Sequence, residues 1–200
     1  MSERANLARE ALDAALTWGR FLTDNGAQIH RVETTLSGVY HLNVPIHGRA
    51  DCLLDLPDGR VMVVDHKRSS SSSRRKRMEA GADLQVDIYR RMIATTPEFI
   101  DLAPDRIITA YHCTLDGRVL TGPEGRGLRS VSAVTGQIGS TADQIVSERI
   151  RTLSTGRLPL NRASDGEMFE KELGVKAYAL ENPLVTAFLI PDTSPEDADV

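Results

Sequence analysis

The sequence predicts an α/β (α+β) fold: a mixed central β-sheet with an antiparallel hairpin at its core, flanked by helices. Three observations predict it. Residues 4–24 carry a helical apolar stripe, residues 48–67 hold two β-prone runs around a Pro-Asp-Gly turn, and residues 78–94 return to helical spacing before a second hairpin. Each helix or strand so patterned must bury one face, and layering helices on a sheet does that.

The first helix is read from Leu7, Leu12, Leu16, Trp18, Phe21 and Leu22, with Asn25-Gly26 as its stop. His30 to Leu36 is β-branched and roughly alternating, which predicts a strand; Val39 to Ile46 predicts a second short one, interrupted at Pro45. Ala50 to Asp55 and Arg60 to Asp65 form the core hairpin through Pro57-Asp58-Gly59, because Gly tolerates the positive φ of the turn. Ser69 to Ser73 and the basic run after them are expected to be a loop by composition. A helix follows from Met78 to Ala94, where Gln85 and Tyr89 are four apart on one stripe, and Thr96-Pro97 ends it. Arg106 to Cys113 and Val119-Leu120 form another hairpin through Asp116-Gly117. Thr141 to Leu153 is helical, and residues 162–190 predict one or two short helices. One domain is expected over 1–190, with 191–200 as an acidic disordered tail.

Composition narrows the function classes. A formal charge of −4 excludes a polybasic binder, and 4% aromatic residues disfavour a base-stacking platform. Cys52 and Cys113 stand alone, without paired Cys/His spacing, so neither a disulfide scaffold nor a cysteine-rich zinc site is expected. With no signal-peptide pattern and no long apolar run, the chain is expected to be soluble and cytoplasmic. The charge is uneven, however. Residues 1–100 hold 14 basic and 13 acidic side chains, residues 101–200 hold 10 and 15, and Lys67 to Met78 has six basic residues and no acid. An acidic protein can therefore offer a local cationic patch to a phosphate-bearing substrate.

The chemistry concentrates on the core hairpin. Asp51 lies near the start of one strand and Asp65 at the end of the other, so the turn brings the two carboxylates together. Lys67, two residues beyond Asp65, points to the same face of an extended strand. Two acidic oxygens and an ammonium on one edge suit a hard divalent cation beside a reacting phosphate. Alone, an Asp-x-Lys triplet is as well explained by a surface ion pair.

Three segments occur in order: Gly48-Arg49-Ala50-Asp51, Val63-Val64-Asp65-His66-Lys67 and Gln85-Val86-Asp87-Ile88-Tyr89. Together they resemble the RecB-like (AddB-like) branch of the PD-(D/E)XK nuclease superfamily, with its Gly-x-x-Asp, Asp-x-Lys and Gln-x-x-x-Tyr motifs. The resemblance implies a restriction-endonuclease-like fold and a Mg²⁺- or Mn²⁺-dependent deoxyribonuclease, an exonuclease in DNA repair or recombination. It implies Asp51, Asp65 and the His66 backbone carbonyl as metal ligands, Lys67 at the nucleophilic water or scissile phosphate, and Gln85 and Tyr89 bracing the site. It also implies a helicase subunit or domain as partner.

Two departures accompany the resemblance. Relatives of this branch carry a metal-binding His upstream of the Gly-x-x-Asp strand. His30 is the candidate, only 21 residues before Asp51 and in strand-like surroundings; His41 and His47 are weaker ones. Many relatives also hold an iron–sulfur cluster near the C-terminus. Here Met168 to Val175 has no cysteine, so no cluster is expected, and Phe169, Leu173, Tyr178, Leu180, Leu184 and Phe188 are expected to hold that region by packing. The basic residues Arg68, Arg74, Arg75, Lys76 and Arg77 follow the catalytic strand and are expected to contact DNA phosphates independently of sequence. The alternative is an inactive nuclease-fold module that binds nucleic acid within a helicase–nuclease complex.

Overall fold

A computed structural model describes residues 3–136 and 138–157. Chain contacts divide into two compact units, Met1–Gln144 and Ile145–Val200. The expected helices within 162–190, the apolar set from Phe169 to Phe188 and the tail 191–200 lie outside the described residues. Among the described residues, no helix is long and apolar enough to cross a membrane.

The first unit is built on a mixed six-stranded sheet with its strands in chain order. Helix α1 (Glu3–Asn25) precedes strands β1 (Gln28–Val39), β2 (Pro45–Asp55) and β3 (Val61–Lys67). Helices α2 (Ser71–Glu79) and α3 (Leu84–Thr95) make the crossover to β4 (Ile107–Cys113), parallel to β3. Strands β5 (Arg118–Thr121) and β6 (Val131–Ala133) follow, and α4 spans Ser140–Ser154. Helix α1 stops where Gly26 takes φ +58° and Ala27 N–H bonds the Leu22 carbonyl at 2.9 Å, a turn that favours Gly.

Strand β3 is central, and its alternation feeds two cores. Val61 and Val63 pack with Leu53, Tyr89, Met92 and Ile93 on the α3 side. Met62 and Val64 pack with Cys52, Leu54, Ile108 and Phe21 of α1 on the other. Strands buried on both faces read as continuous apolar runs, and Val61-Met62-Val63-Val64 is one.

Three expectations are corrected. Residues 39–46 hold no strand of their own: β1 runs on to Val39 and β2 is continuous from Pro45, with the turn between them carried by Leu42 and Asn43 at φ +53° and +60°. Pro45 opens its strand, where a missing N–H is tolerated. The serine run is a loop only at Ser69 and Ser70, because α2 begins at Ser71, whose N–H and hydroxyl both donate to Asp116 Oδ2 at 3.0 and 2.6 Å. That carboxylate, from the β4–β5 turn, satisfies an orphan donor and complements the helix dipole. The single helix expected over 78–94 is two helices, parted at Gly81 with φ +67°. Strand β6 had no counterpart in the sequence pattern.

The β1–β2 turn is tied down through Asp143, near the end of this unit. Its carboxylate accepts from the Tyr40 hydroxyl, from His41 Nε2 at 2.9 Å and from Arg91 Nη2 at 2.9 Å. Burial opposes the charged form of Asp143, but the bonds from Tyr40 and His41 and the Arg91 charge outweigh it and lower its pKa. A carboxyl whose folded pKa is depressed stabilises the fold above its unfolded value, about 4, and that stability is lost as pH falls through the folded value. Urea unfolding of Asp143→Asn against the parent should therefore show a stability gap at pH 6 that narrows towards pH 3.

Candidate active site

The site is made where β2 and β3 part. Their ladder runs from Asp55–Val61 to Cys52–Val64 and goes no further. One more step would set Asp51 opposite Asp65. Instead Asp51 Oδ2 accepts the N–H of His66 at 2.7 Å, so a side chain replaces the missing strand partner. The strand is irregular here. Ala50 and Leu53 both pack in the α3-side core, whereas Cys52 lies in the α1-side core. On β1, Glu33 sits between the Val32–Cys52 and Thr34–Ala50 pairs with φ +49°. The alternation breaks beside Asp51, and the carboxylate reaches sideways to β3.

Asp65 continues the Val61–Val63 face and is only 3% exposed. Its Oδ1 accepts from Gln85 Nε2 at 2.7 Å. Lys67 Nζ pairs with Oδ2 at 2.7 Å. Burial raises the Asp65 pKa, against the Lys67 charge, and Asp51 nearby raises it further. Neighbouring carboxylates repel each other and favour a shared cation. This donor set fits a hard divalent ion. Among the described residues no group of three His, Cys, Asp or Glu side chains forms a metal cluster, so further oxygens would come from backbone, substrate or water. His66 supplies the nearest. N–H and C=O of one residue in an extended strand point the same way, and the His66 N–H already points at Asp51.

Helix α3 locks this arrangement. Gln85, one turn before Tyr89, also donates to the Tyr89 hydroxyl at 3.2 Å, and that hydroxyl donates to the Arg49 carbonyl at 2.8 Å. The chain of bonds thus runs from β3 through α3 to β2. Close packing permits it: a Cβ on Gly48 would lie 2.8 Å from Met92 Cε and 3.6 Å from the Tyr89 ring.

A family model of the PD-(D/E)XK nuclease superfamily matches residues 2–165. The chain belongs to the PD-(D/E)XK nuclease superfamily. Its mixed sheet flanked by helices is consistent with the restriction-endonuclease-like fold, and members are generally nucleases that use Mg²⁺ or Mn²⁺. The match reaches the superfamily and not one branch of it. No curated protein matches the chain significantly.

Other candidates of this superfamily member fall elsewhere. His30 does not join Asp51 and Asp65: its Nδ1 bonds Asp55 and its Nε2 bonds Glu98, at 2.8 and 2.9 Å, beside the far end of β2. His41 serves the Asp143 cluster. The basic run divides. Arg68 is exposed and pairs with Glu10 at 3.0 Å, Arg75 lies 3.9 Å from Glu79, and Lys76 is exposed. Arg74 instead turns inward. It lies over the Tyr111 ring at 4.5 Å and pairs at 3.2 Å with Asp83, which is 1% exposed and accepts from the Tyr111 hydroxyl at 2.6 Å. That occupation takes Arg74 from the phosphate-binding set.

Sequence reading missed a histidine pair. Parallel register sets His66 beside His112, and their Nδ1 atoms lie 2.9 Å apart under Trp18. Burial lowers both pKa values, that of His112 to about 4. The one signal in the chain was positional: each His stands near the end of a β-prone run, Val61 to His66 and Ile107 to His112.

The Arg74–Asp83 pair gives a test of the divided basic run. Removing one partner of a buried pair costs about 3–5 kcal/mol, whereas an exposed side chain changes stability by about 0.5 kcal/mol at most. Chemical denaturation should find Asp83→Ala strongly destabilised and Lys76→Ala close to the parent.

Proposed function

We propose that this chain is a metal-dependent DNA nuclease of the RecB-like kind, hydrolysing phosphodiester bonds without sequence preference. The observation that carries it is that the bond to the His66 N–H brings Asp51 beside the buried Asp65, with Lys67 Nζ 2.7 Å from Asp65 Oδ2. The Gln85–Asp65 and Tyr89–Arg49 bonds support the RecB-like assignment, since they give the Gln-x-x-x-Tyr pattern a mechanical role.

Asp51, Asp65 and the His66 carbonyl hold the ion. When bound, Mg²⁺ or Mn²⁺ supplies Lewis-acid polarisation of the phosphate and an acidified water. Lys67, beside Asp65, orients the attacking water and donates to the negative charge that develops on the phosphate. Gln85 fixes the Asp65 carboxylate, and Tyr89 keeps β2 in register with it. Arg68, next to Lys67, and Arg75, Lys76 and Arg77, on α2, approach the phosphate backbone. Exposed ion pairs such as Arg68–Glu10 contribute about 1 kcal/mol or less, so a phosphate displaces the glutamate readily. The resemblance favours an exonuclease in repair or recombination, working with a helicase partner. The position of His30, away from the carboxylates, favours the second reading: a module that binds DNA without cutting it.

Cleavage of linear and circular DNA, single- and double-stranded, with Mg²⁺, Mn²⁺ or EDTA tests both. The nuclease reading expects cleavage that EDTA stops, that Asp65→Ala abolishes and that Lys67→Ala slows about 10²- to 10³-fold, with circular dichroism unchanged. Cleavage persisting in folded Asp65→Ala would refute the assignment. Salt-sensitive binding with no cleavage under any metal would establish the second reading.

A further inference from the structure

We propose that His112 and Trp18 are positioning residues for the metal site, gripping the His66 ring on one face of the sheet so that its peptide is fixed at the notch with Asp51 and Asp65. The proposal rests on the nuclease reading above and extends it to the opposite side of β3.

Past Cys52–Val64, β3 has lost its β2 partner. The His66 peptide is then held on that side only by the Asp51 carboxylate, through the 2.7 Å bond to its N–H. Asp51 is asked to do two things at once: hold that N–H and face a cation. A second restraint independent of Asp51 keeps the peptide in place when the carboxylate's charge is shared. The His66 side chain supplies it. Alternation sends Asp65 to the α3 side and His66 to the α1 side, where register places His112 directly alongside.

The grip has three contacts. His66 Nδ1 and His112 Nδ1 are hydrogen-bonded at 2.9 Å. Trp18 meets the His66 ring edge-on, centroids 5.0 Å apart at 82°, and stacks on His112 at 5.2 Å and 24°. His112 is 2% exposed and so has little freedom to move. Trp18 in turn stacks on Phe21 at 5.3 Å, and Phe21 is fully buried in the α1-side core. Helix α1 is thus anchored over the residue whose carbonyl faces the site. No other described residue bonds the His66 ring. A partner that orients a ligand-bearing residue contributes to metal affinity, typically 10- to 100-fold.

Mn²⁺ binding to the DNA-free full chain, read by electron paramagnetic resonance of the free ion, tests this without reference to turnover. His112→Phe keeps a ring against Trp18 but removes the hydrogen bond; it should weaken Mn²⁺ binding about tenfold while salt-dependent DNA binding in EDTA is unchanged. His112→Asn places an amide near the Nδ1 position and should restore affinity to within about twofold of the parent. Trp18→Phe, the variant to use if His112→Phe unfolds, should weaken Mn²⁺ binding severalfold. Parental Mn²⁺ affinity in the folded His112→Phe or Trp18→Phe protein overturns the positioning role and leaves the nuclease reading standing. A parent that binds no Mn²⁺ overturns both.

Discussion

The structure depends on a controlled separation of two strands. Inside the core, β2 and β3 are bonded from Asp55–Val61 to Cys52–Val64, with apolar neighbours on both faces that leave no alternative to pairing. Beyond that point they must part, or Asp51 and Asp65 would face each other across a closed ladder with no opening for a phosphate. Parting strands exposes a backbone N–H in a place largely shut off from water, and an unpaired buried donor costs about 1–3 kcal/mol. Asp51 removes that cost by accepting it. The residue that binds the ion in the proposed mechanism is therefore also the residue that makes the opening stable, and its substitution would disturb both.

This dual use explains which parts of the site were legible in the sequence. Period-two alternation sets Asp65 and Lys67 on one face, and period 3.6 sets Gln85 and Tyr89 on one helix stripe; both are local rules, and the geometry agrees with them. The break at Asp51 is not local. It coincides with Glu33 of a neighbouring strand at φ +49°, which no pattern in either segment announces. His30 was offered by the resemblance, against its short spacing to Asp51 and its strand-like surroundings; the register shift between Ile29 and Arg31 and the bonds to Asp55 and Glu98 set it apart. The histidine pair is more distant still, since residues 66 and 112 meet only through a parallel crossover.

The basic run shows a different limit. Composition treats Ser69 to Arg77 as a single solvated stretch, yet once Asp116 caps it as a helix, positions three and four apart share a face. Ser71, Arg74 and Met78 form that inward face, two of them buried and Arg74 paired inside. The cap that decides this comes from a turn 45 residues later. Serine's weak helix propensity is overridden by a tertiary contact, and one cation of the apparent patch becomes part of the support that sets Asp83, two residues before Gln85.

A net charge of −4 is compatible with a substrate made of phosphates because the acidic surplus lies in residues 158–200, which hold 9 acidic and 3 basic side chains against 19 and 21 in residues 1–157. Acidic side chains here are largely committed to neighbouring cations: Asp83 to Arg74, Asp87 and Asp143 to Arg91, Glu124 to Arg90. These pairs surround α3 and hold it at both ends, Asp83 at its start and Arg91 in its final turns. Gln85 can bond Asp65 at 2.7 Å only while α3 keeps its place, and a displacement of about 1 Å at a reacting group is enough to cost a large factor in rate. The acidic surplus of the sequence thus says little about attraction for DNA. The pairs around α3 fix the helix that aims Gln85, while Arg68, next to Lys67, and Lys76, on α2, remain exposed to meet the backbone.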